Sequence, residues 1–483
     1  MSSDAFTLAE RPTRIGKARV AWTVASLIPA IFLLVLFALS FFAAPEHDDF
    51  CIATEFARSG LVATVVNLYN QLSGRVVPFV LLQIPAAIAS ATGISVVLAY
   101  SLTMAAGAIA FLTGTSFAIA RTRPPIAGPH LVFLALGFAA AVVGATPSIR
   151  DLLYWLPAFA CYVPPALASI LILGECVRAL DRESEFSARA TWAMVIVGFL
   201  GALCNEFTGV WLVVMIVSSL SARHFFGQKL QIDRHALIAI AILIGWLIVV
   251  TAKSNSVRMA GISGSGDLAR SLHDGLRVSL AGLRRFFRDP AIIGWFATVA
   301  ALSLTDQMRP ASARAALLAL GVTVVCLACC YFEYFVHAFS TGGPLVERAQ
   351  NQALIFILFG LTLSLSLAIR ACRAKFRWPR GLRETDASHS AALPVVLAVV
   401  TAVTLYLSPT ASLLRREGSE LYPYWRESVA RDSLLSTSRE EVVVVSQHRW
   451  KPEILMTADV SIATSCVASY YGKTKVVPVD PDP

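Results

Sequence analysis

The sequence predicts an all-α polytopic membrane protein with a small α/β segment at its C-terminal end, and three observations carry that expectation. Of 483 residues, 56% are hydrophobic and only 15% charged, whereas soluble domains carry about 25% charge. Two runs, 20–44 and 152–174, hold no charged residue at all, and about 20 apolar residues suffice to cross a bilayer as a helix. The basic residues fall in loops between such runs. A helix satisfies its own backbone in lipid; a transmembrane barrel would show short alternating segments instead, and none are seen.

Taken in order, the first apolar run is too long for a secretory signal core and lacks a small-x-small cleavage site, so it reads as a retained helix. Arg11, Arg14, Lys17 and Arg19 precede it, which places the N-terminus in the cytoplasm by the positive-inside rule. The net charge of +9 therefore serves orientation and implies no nucleic-acid partner. The basic loops 178–189, 223–234 and 370–383 belong on the same inner side. Segment 45–75 is then external.

Apolar runs follow at 76–120, 130–147, 152–174, 191–220, 235–252, 290–305, 314–335, 351–370 and 391–407. The run 191–220 begins and ends in basic loops, so it reads as a hairpin with Asn205-Glu206 at its outer turn. The run 76–120 is too long for one crossing while parity requires an odd number; three short helices or one span plus a re-entrant piece both satisfy it. The expectation is about 11–13 transmembrane helices in a domain covering 1–407, with external loops 45–75 and 253–289. Residues 408–483 form a small external segment, with strands expected at 441–446 and 473–479. No internal repeat is visible, which counts against a secondary transporter.

The chain has nine cysteines. Cys326, Cys329 and Cys330 lie mid-run without a His or acid beside them and read as small buried hydrophobes. Cys51 and Cys466 are both expected outside; spacing alone leaves their pairing open.

The chemistry concentrates at Glu46-His47-Asp48-Asp49-Phe50, an abrupt acidic break after a charge-free span. It reads either as a hydrated helix end or as a carboxylate poised for general-base work near the membrane. A divalent metal on His47, Asp48 and Asp49 is the weaker alternative, because three adjacent side chains rarely converge on one ion. Segment 55–71 follows with apolar residues at helical spacing, as in an interfacial helix, and ends in Ser73-Gly74-Arg75. Arg75 suits interfacial snorkelling or a phosphate contact. Ionisable residues at or in the membrane are functional candidates because burying them is costly; Glu206 beside Asn205, Glu333, and Glu347-Arg348 qualify. Arg258, Arg277, Arg284, Arg285 and Arg288 crowd one external loop, which fits a phosphate-bearing ligand or a basic amphipathic helix on anionic lipid.

In this arrangement the chain resembles the GT-C superfamily of membrane glycosyltransferases, and most closely a bacterial branch of multi-spanning proteins without an assigned function. The residues carrying the likeness are His47-Asp48-Asp49-Phe50 after the first helix, Ser73-Gly74-Arg75, Tyr154-Trp155 to Tyr162, Asn205-Glu206 and Ala468-Ser469-Tyr470-Tyr471-Gly472. The resemblance implies inverting transfer of a sugar from a polyprenyl-phosphate donor on the outer face of the bacterial inner membrane. Asp48 or Asp49 would act on the acceptor as catalytic residues. His47, Arg75, Asn205, Glu206, Arg258, Arg284, Arg285, Glu347 and Arg348 would bind substrate, with arginines on the donor phosphate and no resident cofactor. A Trp-Trp-Asp motif and a large external domain are missing, which favours a lipid or polysaccharide acceptor over a protein. A glycan polymerase or ligase, or a lipid-linked glycan transporter, is the alternative.

Overall fold

The computed structural model describes residues 11–122, 128–262, 264–305, 313–375, 392–456 and 465–480. The side chains of Arg11, Arg14 and Lys17, the stretch 376–383 of the third basic loop, and the closing Pro-Asp-Pro lie outside the described residues.

The chain is overwhelmingly helical. Helix α1 (Arg11–Ala38) runs into a 3₁₀ turn (Leu39–Phe42), and α2 (His47–Gln71) follows, broken at Gly60, whose φ of 76° only glycine adopts freely. The run 76–120 resolves into α3 (Val76–Leu81), α4 (Ile84–Thr92) and α5 (Val96–Thr122), with Gly93 in the left-handed conformation closing α4. Helix α3 packs on α2 and α8, and α4 on α2 and α5. Of these, only α5 is long and apolar enough by itself to cross a membrane; Val76–Thr92 is a shorter apolar stretch, as long as α6.

Next come α6 (Pro129–Ala145), α7 (Ile149–Leu153), α8 (Leu156–Asp181), and the hairpin α9 (Ala188–Ala202) and α10 (Thr208–Phe225) with Asn205-Glu206 at its turn. The series continues with α11 (Ile232–Val250), α12 (Lys253–Ala260), α13 (Leu268–Phe286), α14 (Pro290–Thr305), α15 (Ala313–Thr341), α16 (Glu347–Lys375) and α17 (Ala392–Tyr406).

Among the described residues, seven helices are long and apolar enough to cross a membrane: α1, α5, α8, α10, α11, α15 and α16. Helices α6, α9, α14 and α17 are shorter but equally apolar. Helices α8 and α16 form the centre, with 72% of each apolar window buried against 28% for α11 at the periphery. Small residues permit the close approaches. A Cβ on Gly360 of α16 would stand 2.1 Å from the Cys326 sulfur of α15, so Cys326 fills the groove as a small hydrophobe. Outward-facing Leu34, Ile109, Ile196, Ile244, Leu320 and Val399 give the bundle an apolar skin.

Contacts sort the loops into two ends. One end joins Glu46 to Arg150, Arg75 to Glu206, Thr146 to Asn351 and Thr410 to Val143. The other joins Arg121 to Glu175, Arg314 to Glu183 and Arg370 to Asp181. The loops expected outside and inside thus separate to opposite ends.

The C-terminal segment begins at the acid-loop end with α18 (Pro409–Glu417) and α19 (Leu421–Thr437), then β1 (Val442–Ser446), α20 (Ser465–Tyr470) and β2 (Lys475–Val479). The strands pair in parallel with Val443 opposite Val476. Alternation decides which face packs: Val443 and Val445 are buried with Leu435 and Val467, whereas Val442 and Val444 are exposed.

Candidate functional site

At the start of α2 the acid pair divides. Asp49 is buried, and its Oδ2 accepts the Glu46 backbone N–H at 2.8 Å, closing the first turn. Its other oxygen is buried without a hydrogen-bond partner. Burial, then the Glu46 and Asp48 charges, push the Asp49 carboxyl well above the usual range, against the pull of the Glu46 N–H. Asp48, one residue earlier on the turn, is exposed.

Glu46 pairs with Arg150 at 3.1 Å, and Arg150 also meets Asp151 at 2.7 Å. Burial opposes the Arg150 charge, but the two acids outweigh it and hold its pKa up. The Arg150 guanidinium lies 4.4 Å from the centroid of the Trp155 ring, and Arg348 lies 5.5 Å from the same ring. One indole therefore takes two cations. It links the acid loop to a second cluster.

That cluster depends on Gly74. A Cβ there would stand 2.1 Å from the Val249 carbonyl oxygen, so only glycine lets the end of α2 cross α11 this closely. Tyr69 Oη donates to the Ile248 carbonyl at 2.7 Å and Ser254 Oγ to the Tyr69 carbonyl at 2.7 Å, fixing the crossing. Arg75 then reaches Glu206 at 3.0 Å, and Arg258 approaches the same carboxylate at 3.5 Å. Burial works against Glu206's charge, yet Arg75 and Arg258 outweigh it and hold its carboxyl below the usual value. The Arg75 guanidinium also lies 5.9 Å from the Tyr162 ring centroid and 3.7 Å from the Cys161 sulfur. Arg348, Arg75 and Arg258 all act electrostatically on His337 of α15. Two arginines thus face one carboxylate, with Arg348 close by over Trp155, an excess of positive charge suited to a phosphate.

The sequence-expected residues distribute unevenly. Arg75, Glu206, Arg258 and Arg348 come together. Asn205 is fully buried, donates to the Cys161 carbonyl and Gln352 Oε1, and accepts from Thr208. That hydrogen-bonding capacity is used inside the fold, where it locks the α9–α10 turn to α8 and α16. Arg284 and Arg285 sit in the last turn of α13 and both are exposed, with Arg285 at an apolar cavity beside that helix. Glu347 is exposed on the first turn of α16. His47 is exposed with Nε2 3.9 Å from the Cys51 sulfur. Glu333 is fully buried in α15, and neither carboxylate oxygen has a hydrogen-bond partner.

Sequence reasoning passed over Arg150 as a cluster member, although Arg150-Asp151 is the one charged pair between the runs 130–147 and 152–174. It also passed over His337.

Helix α13 packs Ser271 and Gly275 inward and leaves Leu268, Leu272, Leu276 and Leu280 exposed, as an amphipathic helix does. Beside it lies an apolar cavity of about 260 Å³, lined by Leu276, Leu283, Leu327 and Ile357, with Arg285 and Gln350 among its few polar groups. A second, smaller cavity of about 80 Å³, lined by both polar and apolar side chains, lies between the start of α2 and the C-terminal segment.

Cys51 and Cys466 are joined by a disulfide, with their Cα atoms 4.7 Å apart. His47 and the two sulfurs lie within 4.8 Å of one another, but sulfurs bonded to each other offer no thiolate to a metal.

Comparison of the chain with protein-family models, with curated proteins and with solved structures finds no match.

Proposed function

We propose that the protein is a GT-C-type glycosyltransferase that moves a sugar from a polyprenyl-phosphate-linked donor to a lipid or polysaccharide acceptor at the outer face of the bacterial inner membrane. The observation that carries this reading is the half-buried pairing of Arg75 and Arg258 on the single carboxylate of Glu206, with Arg348 nearby over Trp155, at the same end as the acid pair. Positive charge in excess of its local acid favours a donor phosphate. The apolar cavity beside α13 gives a prenyl chain a place to lie. Its lining residue Tyr334 stands one helical turn before His337 on α15.

Asp48 takes the acceptor proton in this account, because it is exposed where Asp49 is enclosed. Asp49 positions it by holding the first turn of α2. The basic loops at the opposite end favour a cytoplasmic location for that end. The Cys51–Cys466 disulfide favours an oxidising compartment for the acid-loop end. The seven long helices with α6, α9, α14 and α17 as short spans, and Val76–Thr92 taken as a re-entrant piece, would give eleven crossings, within the expected range.

Purified protein in neutral-lipid nanodiscs tests the donor site. Polyprenyl phosphate should bind the wild type and bind R258Q and R75Q about tenfold or more weakly; equal binding to all three would rule the reading out. A glycan polymerase or ligase is the second reading. Asp49's commitment to the Glu46 N–H favours it, because only one acid of the pair is then free.

A further inference from the structure

The smaller cavity, at the base of the C-terminal segment, is not used by the donor reading. Helix α19 lines it through Tyr424, Ser428, Arg431, Asp432 and Leu435, and the start of α2 lines the other side through Glu46 and His47. Arg431 has no ion pair and no hydrogen bond among the described residues, although it is only partly exposed. The neighbouring acids are engaged elsewhere. Glu46 pairs with Arg150, Asp432 accepts the Tyr471 hydroxyl at 2.6 Å, and Glu427 holds His448 Nδ1 at 3.2 Å and the Arg449 N–H at 3.1 Å.

The electrostatics of Arg431 run opposite to those of the paired arginines. Burial holds its pKa down to about 10 despite the Glu427 carboxylate, whereas the acids beside Arg75 and Arg150 more than offset burial. A partly desolvated guanidinium with no ion pair closed on it is costly to keep, and its planar fork of donors matches a carboxylate or phosphate.

We infer that Arg431 and this cavity form a second anion site, which takes a carboxylate or phosphate group carried by the acceptor. Assigning the anion to the acceptor rests on the transferase reading; the anion site itself does not. A cavity of about 80 Å³ admits one such group, given roughly 30 Å³ per water in the liquid, and a whole sugar ring must extend past it toward exposed His47. The wall is held in place. Cys466 is bonded to Cys51, the next residue, Val467, lines the cavity, and Phe50 packs 5.5 Å from Tyr470 and 5.8 Å from Tyr471 between ring centroids.

The proximity of the disulfide supplies a local readout. Full-length protein in neutral-lipid nanodiscs is treated with a dithiol reductant, and opening of Cys51–Cys466 is followed by thiol labelling with inorganic phosphate, glucuronate or glucose present. Phosphate and glucuronate should slow opening at least threefold in the wild type and in R258Q, and glucose should not. R431Q should lose the protection, and R431K, which keeps the charge but not the fork, should need about tenfold more phosphate. R431K also serves if R431Q folds poorly. Equal protection by glucose, or protection by phosphate retained in R431Q and R431K, overturns the site. Loss of protection in R431Q with unchanged polyprenyl-phosphate binding in R258Q leaves this anion site standing and removes the donor reading. The reverse pattern removes only this site.

Discussion

The Arg75 guanidinium meets the Glu206 carboxylate at 3.0 Å across 131 residues of sequence, at the point where the end of α2 is pressed against α11. Both side chains keep a little under a fifth of their surface exposed. The contact ties the segment after the first helix to the α9–α10 turn. It also balances only one of the three positive charges gathered there.

Neutralising the acid should therefore have two opposite effects. E206Q leaves Arg75 and Arg258 without a counter-charge, which should destabilise the fold by about 2 kcal/mol, below the 3–5 kcal/mol of a fully buried pair because this one is partly solvated. The same change removes the competitor for a bound anion, so phosphate should bind more tightly. Thermal unfolding of E206Q with and without phosphate checks both; weaker phosphate stabilisation than in the wild type contradicts the anion site.

The acid pair should separate by assay. D49A removes the acceptor that closes the first turn of α2 and should cost about 0.5–2 kcal/mol. D49N keeps an acceptor oxygen and should fold nearly normally. D48N should leave stability unchanged and lower transfer by about 10²–10⁴-fold. Unfolding curves and a transfer assay on the three variants together distinguish positioning from catalysis.

Much of this end of the molecule was legible as interruptions in apolar runs. The acids after the first helix, Arg75, Asn205-Glu206 and Arg348 all stand where a charge-free stretch breaks, and a charge is expensive there. What periodicity cannot reveal is which partner a charge meets. Asn205 and Glu206 are neighbours in sequence, yet one is spent inside the fold and the other faces two arginines. Arg150 finds Glu46 across 104 residues, and the Cys51–Cys466 bond spans 415. The strands of the C-terminal segment were readable from their β-branched runs, but the cavity they help enclose depends on how α19 docks.

Gly74 is a second test of the crossing. G74A would place a Cβ 2.1 Å from the Val249 carbonyl oxygen and 2.9 Å from Ala252 Cβ. It should cost about 1–3 kcal/mol and displace Arg75 from Glu206. Thermal unfolding and polyprenyl-phosphate binding should fall together; a stable G74A with full binding contradicts the proposed dependence of the cluster on this approach.

The C-terminal segment should loosen in mild acid. Burial, then Arg431 and Lys451, push the His448 imidazole down to about 3 although Glu427 stands beside it. The folded state therefore refuses a proton that the unfolded chain accepts below about pH 6.5. Stability is lost as pH falls from that value toward 3. Proteolysis of the segment between pH 7 and 4.5 should accelerate in the wild type and less so in H448Q, the difference isolating this histidine from the carboxylates.

The most direct test compares envelope glycolipids and polysaccharides by mass spectrometry in cells that lack the protein and are supplied with wild type, D48N or R258Q at equal membrane levels. The account predicts a glycan modification that returns with the wild type and with neither variant. Restoration by D48N and R258Q alike would contradict it.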